Sequence, residues 1–262
     1  MDAEHLEQLR VAQAQLETIP FLIKVANAVG QPLEKSIGAL PERARKAIVT
    51  ATQAALDKGL GWAVATIDVP AGAKSRAWLH TTVVTASGGL GGAFGWSALA
   101  VELPFSTVVM LRSIAAIARE HGEDLSDPET RLQCLAVLAY GGTSTADDAA
   151  ETTYYATRAS LATTLPRAAA QLGTAIRGGD APRAARAVAA FLSKVAGRFG
   201  LVVQEKAIAQ SVPVVGALGG AALNNLFIAH FQTVARGHFT VRRLERIYGE
   251  GVVREAYERI RT

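Results

Sequence analysis

Ser87-Gly88-Gly89-Leu90-Gly91-Gly92-Ala93-Phe94-Gly95 and Val214-Val215-Gly216-Ala217-Leu218-Gly219-Gly220-Ala221-Ala222 are the stretches that decide the fold of this chain. Each lies in a longer run without Asp, Glu, Lys or Arg, from Ala77 to Val101 and from Ala207 to Ala235. Such runs are long enough to cross a bilayer, which takes roughly 20 apolar residues. Glycines four residues apart also form a flat helical stripe that another backbone can approach closely. We expect two glycine-rich helical segments packed in the core, with membrane insertion as the alternative.

The composition excludes disorder and favours a helical protein with a large core. Hydrophobic residues make up 50% of the 262 residues, and charged residues only 19%. Aromatic residues make up 6%, so most of the apolar content is small or aliphatic. Because small residues contribute less transfer free energy than Leu or Phe, the helices must pack closely.

Charge and cysteine content indicate the compartment. The net charge of +4 is too weak to predict a nucleic-acid partner. The single cysteine, Cys134, cannot form an internal disulfide and is predicted to be a core residue in a reducing compartment. The N-terminus begins with charged residues and shows no secretory signal. We therefore expect a cytoplasmic protein, or one that is peripheral on the inner face of the cell membrane.

Apolar spacing of three and four residues predicts helices along most of the chain. Pro41 opens one helix, whose inward face is predicted to be Ala44, Ile48, Ala51, Ala55 and Leu56. A further helix is predicted from Phe105 to His121, separated from the first glycine-rich run by Pro104. Ser126 is predicted to cap the next helix. With no run of alternating β-branched residues, the prediction is an all-α, compact multi-helix domain.

Several motifs occur together and in one order. They are Phe94-Gly95, Val101-Glu102-Leu103-Pro104, Met110-Leu111-Arg112-Ser113-Ile114-Ala115, Asp147-Asp148-Ala149-Ala150-Glu151 with Tyr154-Tyr155, Val212-Pro213-Val214-Val215-Gly216, His230-Phe231, and Ala235-Arg236-Gly237-His238-Phe239-Thr240-Val241-Arg242-Arg243-Leu244-Glu245. Together they resemble the EcsC family of bacterial proteins, and the likeness covers roughly Ala44 to Gly249. We therefore divide the chain into an N-terminal helical extension, residues 1–40, and an EcsC-like helical domain, residues 41–262.

The resemblance implies an apolar helical protein associated with a membrane, and it implies no established reaction. The founding member of the family is encoded beside subunits of an ABC transporter, so a transporter is one candidate partner. Where family members often carry an acidic residue before the histidine of His230-Phe231, this chain has Ala229. A site that used that carboxylate would be absent here.

Polar residues in apolar surroundings are the candidates for a buried site. They are Glu102, Arg112, Asp147, Asp148, Glu151, Asn224 and His230. An isolated buried charge is costly, so Glu102 and Arg112 are expected to pair, with each other across Pro104 as one arrangement. Asp147 and Glu151 are four residues apart and share a helical face, which suits acid–base chemistry or a helix start. The spacing predicts no metal site and no cofactor.

The C-terminal part of the chain carries arginines that suit phosphate groups. Arg236, Arg242, Arg243 and Arg246 are candidate contacts for phosphate or lipid headgroups, although interspersed glutamates favour an ordinary solvated surface.

The first hypothesis is thus a non-enzymatic protein of the cytosolic membrane surface that binds anionic lipid or a membrane protein, with no specific nucleic acid. The alternatives are a hydrolase with a buried polar site and a soluble helical interaction module. The sequence predicts no oligomeric state.

Overall fold

The computed structural model describes residues 1–17, 20–29, 41–65, 99–142, 153–211 and 219–261. These ranges contain ten helices and no strand, which confirms the all-α prediction. The helices are α1 (Ala3–Leu16), α2 (Phe21–Val29), α3 (Glu42–Ala65), α4 (Leu99–Glu120), α5 (Pro128–Tyr140), α6 (Thr153–Leu161), α7 (Thr164–Ile176), α8 (Ala181–Ser211), α9 (Gly219–Tyr248) and α10 (Glu250–Arg261).

Helix α5 lies at the centre of the bundle. Every residue from Thr130 to Tyr140 is buried, and α5 contacts α3, α4, α6, α7, α8 and α9. Such a helix has no solvated face, so its sequence is not amphipathic, and even its polar residues Thr130, Arg131 and Gln133 are buried. Cys134 is fully buried in it, as predicted, and burial raises the pKa of its thiol.

The residue that caps α5 differs from the prediction. Asp127, not Ser126, is the N-cap, and its carboxylate accepts a hydrogen bond from the Glu129 amide at 3.1 Å. The Ser126 hydroxyl donates instead to Asp124 at 2.7 Å. Asp127 directly precedes Pro128, which takes the first helical position, and this places the aspartate rather than the serine at the helix end.

The predicted inward face of α3 is confirmed. Its five residues, Ala44, Ile48, Ala51, Ala55 and Leu56, are all buried, and α3 packs chiefly on α4. At Gly59 the contact is so close that a Cβ would lie 2.8 Å from a Leu111 methyl and 3.0 Å from a Leu135 methyl. The absence of a side chain there therefore lets α3 approach both α4 and α5.

The predicted start of α4 is wrong. The helix begins at Leu99 and continues through Pro104, rather than starting at Phe105. Pro104 is the sixth residue of α4, beyond the four N-terminal amides that have no acceptor within the helix, so it cannot donate to the carbonyl four residues earlier. Pro104 therefore removes one hydrogen bond without ending the helix.

Helices α8 and α9 contact each other through aromatic side chains. Phe199 in α8 packs against Phe227 and Phe231 in α9, with ring centroids 6.3 and 5.6 Å apart. Phe21 of α2 adds an edge contact to Phe227 at 5.4 Å. These rings form an aromatic cluster within a core that also contains many buried leucine and alanine side chains.

The N-terminal helices pack on the same core. Helix α1 runs along α9 and buries Leu9, Ala12 and Leu16, while α2 lies against α8 and α9. The Gln13 amide also donates to the Tyr257 carbonyl of α10 at 2.7 Å. The predicted boundary between residues 40 and 41 stays a prediction.

Replacing Gly237 by alanine is expected to lower the free energy of unfolding by about 1–2 kcal/mol, because overpacking outweighs the gain in helix propensity. A Cβ at Gly237 would lie 2.7 Å from Leu16 Cγ and 2.9 Å from the Ala12 carbonyl oxygen, so α1 would have to move. Gly251→Ala in α10 is the matched control, since a Cβ there meets nothing within 4 Å. Urea denaturation should show opposite signs for the two variants, and equal signs would contradict the close approach.

The glycine-rich runs are described only in part. Residues 66–98 and 212–218 lie outside the described ranges, so the proposed packing of the first glycine stretch is not addressed. From the second run, Ala207, Ile208, Leu223, Phe227 and Phe231 are buried in the bundle. Within the described ranges one helix, α8, is long and apolar enough to cross a membrane, and 44% of its apolar window is buried inside the protein.

Candidate functional site: a buried lysine where three helices meet

Lys206 lies where the start of α4, the end of α8 and the start of α9 come together. Its side chain is fully buried, and its ammonium donates to Glu102 Oε1 and to Asn224 Oδ1, both at 2.5 Å. The ammonium also stands 4.7 Å from the centre of the Phe227 ring. We call this part of the bundle, where Glu102, Lys206 and Asn224 meet, the lysine end.

Two polar atoms at the lysine end are buried without a partner among the described residues. Gln210 Nε2 donates to Glu102 Oε2 at 3.3 Å, which leaves Gln210 Oε1 unpartnered. Asn224 accepts from Lys206 through Oδ1, while its Nδ2 is unpartnered. The hydrogen-bonding capacity of the cluster therefore exceeds what the described part of the chain uses.

Burial lowers the pKa of the Lys206 ammonium, and the attraction of Glu102 opposes that shift. Two close acceptors and an aromatic ring compensate the charge of the lysine, so it can remain charged inside the protein. The arrangement works as a cross-link between α4, α8 and α9.

His230 belongs to a different contact. Its Nε2 donates to the Gly141 carbonyl at 2.8 Å, and its Nδ1 accepts from the Lys24 ammonium at 3.0 Å, which assigns the proton to Nε2. Burial, followed by the nearby Lys24 charge, lowers the pKa of His230 to about 4. With both ring nitrogens engaged, His230 joins α2, α5 and α9 as a neutral core histidine.

The other predicted members of the buried site do not join the cluster. Arg112 is exposed on α4, so the expected pair with Glu102 is wrong, and Lys206 takes that place. The reason is helical geometry, since residues ten apart in one helix cannot meet. Asp147, Asp148 and Glu151 lie outside the described residues. Within the described ranges no three His, Cys, Asp or Glu side chains are grouped to hold a metal ion.

Three of the four candidate arginines bind other protein groups. Arg242 donates to both Glu123 carboxylate oxygens, at 3.0 and 3.2 Å, and Arg246 binds Glu123 and donates to the His121 carbonyl at 2.6 Å. Arg243 donates to Gln8 of α1 at 2.8 Å. Arg236 is exposed.

We call the region where Glu123, Arg242 and Arg246 meet the arginine end. Asn224 and Arg242 lie about 27 Å apart along α9 at 1.5 Å per residue, so the arginine end is remote from the lysine end. The ion pairs with Glu123, which is 8% exposed, fix the turn between α4 and α5 to α9. Arg242 and Arg246 therefore stabilise the packing of this turn against α9.

Sequence reasoning missed Lys206 as a site residue, although a signal was present. Glu205 and Lys206 are the only formal charges between Arg198 and Arg236. The Glu205 carboxylate accepts from the Leu22 amide at 3.0 Å and so caps α2. The isolation of Glu205 and Lys206 within an apolar helix therefore indicated that each side chain binds another part of the protein.

The comparisons with known proteins give one result. The model of the EcsC protein family matches residues 3–244. No curated protein and no solved structure matches the chain.

Proposed function

The chain belongs to the EcsC protein family, and from this premise we propose that it is a non-enzymatic protein of the cytosolic membrane surface that contacts lipid with its lysine end. The proposal rests on one observation, which is where the two uncharged glycine-rich runs join the bundle. The first run leads directly into α4, and the second extends from the last residues of α8 into the first half of α9. Glu102, Lys206 and Asn224 hold these three helix termini together at hydrogen-bond distance.

The electrostatics of the lysine end are compatible with an apolar partner. Glu102 directly follows the first run, and Lys206 directly precedes the second. The two charges compensate each other inside the protein. Neither side chain would have to be dehydrated on contact with lipid, a step that is expensive for an isolated charge. Phe105, one turn after Glu102, is 48% exposed and adds apolar surface.

The arginine side chains support this proposal less than the lysine end does. Arg242, Arg243 and Arg246 donate to groups of the protein itself, and they lie at or near the arginine end. A headgroup contact through these residues would compete with bonds that hold the fold. We therefore expect membrane binding to depend on apolar contact more than on salt-sensitive attraction.

The hydrolase alternative requires Glu102, Arg112, Asp147, Glu151 and His230 around one cavity, and Asp147 and Glu151 lie outside the described residues. In the described residues Glu102 binds Lys206, Arg112 is exposed, and His230 binds Lys24 and Gly141. No observation favours the hydrolase over membrane contact, and the same holds for the soluble interaction module.

Vesicle flotation of the purified chain tests the proposal. We expect recovery with neutral phosphatidylcholine vesicles and with vesicles containing anionic phosphatidylglycerol, at both low and high salt. Phe105→Glu is expected to weaken partitioning into vesicles about tenfold, because it removes a half-exposed phenyl ring from the proposed lipid contact. Ile247→Glu is the matched control, since Ile247 is 55% exposed near the arginine end.

Thermal melting of both variants would show that they are folded. Equal recovery of the two variants would contradict contact through the lysine end. Recovery only with anionic vesicles, and its loss in salt, would return the headgroup role to the arginines. Binding to native membranes without binding to protein-free vesicles would replace lipid by a membrane-protein partner.

A further inference from the structure

The hairpin formed by α7 and α8 concentrates the positive charge of the chain. The two helices pack against each other and are joined by a short turn. Between Arg158 and Glu205 the sequence has six basic residues and one acidic residue, a net charge of +5, whereas the whole chain carries +4. We call α7, the turn and the first part of α8, up to Lys194, the basic hairpin. The positive charge of the protein therefore lies on one supersecondary unit.

The arginines of the basic hairpin are open to solvent. Asp180, the acidic residue of the segment, is used as the cap of α8 and accepts a hydrogen bond from the Arg183 amide at 2.9 Å. Glu123 holds two arginines at the arginine end, but no described carboxylate holds the exposed guanidiniums of the hairpin. These are Arg167 on α7, Arg177 in the turn, and Arg183 and Arg186 on α8. An anionic partner can therefore reach them without displacing an ion pair of the described residues.

The exposed face of α8 that follows these arginines is smooth. Arg186, Ala190, Ser193 and Gly197 are all exposed, and their spacing of three and four residues places them on one face of the helix. A Cβ at Gly197 would meet nothing within 4 Å, so no described part of the chain covers this end of the face. We call these four residues the smooth strip. A strip without large side chains lets the backbone of another helix approach closely.

The basic hairpin suits a protein helix better than a nucleic acid or a bilayer. Its segment has two aromatic residues, Phe191 and Phe199, and both are fully buried, so neither can stack on bases. Ile176, at the end of α7, is 41% exposed and offers an apolar contact beside the arginines. Arg183 and Lys206 lie about 35 Å apart along α8 at 1.5 Å per residue, so the hairpin is remote from the lysine end.

We propose that the basic hairpin docks an acidic helix of a partner protein. The partner helix packs on the smooth strip, and its aspartate and glutamate side chains bind the guanidiniums of Arg183 and Arg186 in the bidentate geometry that arginine favours. Arg167 and Arg177 add attraction over a longer range. The lysine end stays free for lipid, so one molecule can join a membrane to an acidic protein.

Fluorescence anisotropy of the full chain with a labelled peptide tests the proposal. The probe is a peptide of about 20 residues that repeats Glu-Ala-Ala-Leu-Glu-Ala-Ala, which is long enough to form a helix. The comparison peptide has the same charge but is interrupted by proline, which breaks the helix. We expect the helical peptide to bind about tenfold more tightly at physiological salt, because only a helix can pack on the strip while its carboxylates meet the arginines. Its affinity should fall as salt is added.

A charge-reversal variant tests the arginines. Arg183→Glu combined with Arg186→Glu is expected to weaken binding of the helical peptide about tenfold. Arg43→Glu combined with Arg45→Glu, at exposed positions of α3, is the matched control because it changes the net charge by the same amount. The control should weaken binding by less than about twofold, since distant charges are screened.

A bulky substitution tests the smooth strip without a change of charge. Ser193→Trp should weaken binding of the helical peptide about tenfold, because the ring keeps the two backbones apart. Thr50→Trp, at an exposed position of α3, should leave binding unchanged. Both positions are exposed, so thermal melting should show that the variants are folded.

Four results would overturn the proposal. They are no binding of the helical peptide, equal binding of the proline peptide, tighter binding of a double-stranded DNA oligonucleotide at physiological salt, and equal losses in a variant and its control. Vesicle flotation separates this surface from the proposed lipid contact. The Arg183 and Arg186 double variant should float as the wild type does, and a loss of flotation would assign the hairpin to lipid instead.

Discussion

Replacing Lys206 by methionine is expected to lower the free energy of unfolding by about 3–5 kcal/mol, since the change leaves an uncompensated carboxylate inside the protein. Lys206 is fully buried, and its ammonium is 2.5 Å from both Glu102 Oε1 and Asn224 Oδ1. Methionine has a similar length and fills the space over Phe227, so lost volume contributes little. The change in stability therefore reports the charge of the lysine.

A double variant separates the ion pair from the packing. Glu102→Leu combined with Lys206→Met is expected to recover at least half of the lost stability, because a buried pair can often be exchanged for apolar side chains at little cost. The Asn224 amide then loses a donor, which keeps the recovery incomplete. Lys58→Met, at an exposed position of α3, is the control and should change stability by less than about 0.5 kcal/mol.

Urea denaturation with a constant m-value is the appropriate measurement. A loss below 1 kcal/mol for Lys206→Met would mean that Glu102 regains water or another partner in the variant. The lysine end would then be looser than the distances indicate. The proposed cross-link between α4, α8 and α9 would have to be abandoned.

Acidification from pH 7 to pH 5 is expected to remove about 2 kcal/mol of stability through His230 alone. The pKa of His230 is about 4 in the folded protein, against 6.5 in the unfolded chain, because burial and the Lys24 charge disfavour its protonation. Between these values the unfolded chain binds a proton that the folded chain does not. Stability is therefore fully present above pH 6.5 and falls as the pH falls towards 4.

His238 acts in the same direction. Burial, assisted by the charges of Arg242 and Arg158, holds its pKa well below the usual value. Its Nδ1 is 2.9 Å from the Tyr154 hydroxyl, and its buried Nε2 has no hydrogen-bond partner among the residues that the structure describes. Two carboxyls oppose the histidines, because burial raises the pKa of Glu205 and of Glu245.

Comparison of the wild type with His230→Gln cancels the contributions that the two proteins share. Free energies of unfolding measured in urea at intervals between pH 5 and 6.5 should show a slope lower by up to about 1.4 kcal/mol per pH unit in the variant. The histidine is placed wrongly if the two slopes are equal. A variant that is less stable at pH 7 still allows the slopes to be compared.

Much of the fold could be predicted from the sequence because helix formation and burial are periodic local properties. The inward face of α3 and the core position of Cys134 follow from apolar spacing alone. The cap of α5 and the start of α4 were misplaced by one and six residues, since capping and proline tolerance depend on the local helix geometry.

The candidate site was predicted less well than the fold. Glu102 and Asn224 were correctly selected as polar residues stranded in apolar sequence, and they do meet. Their shared partner was missed because Lys206 lies 104 residues from Glu102, and no local pattern connects them. The sequence indicated Arg242 and Arg246 as candidate phosphate contacts, but Glu123 in a distant turn binds both of them.

The sequence by itself determined an all-α protein of the EcsC family that contains two uncharged glycine-rich runs. Only the tertiary structure decided that Glu102 and Lys206 compensate each other, that Arg242 and Arg246 stabilise a turn, and that Arg183 and Arg186 are exposed on the basic hairpin. The physical reason is that helix periodicity acts over a few residues, whereas a buried charge is stabilised by whichever group the packing of distant helices brings within hydrogen-bond distance.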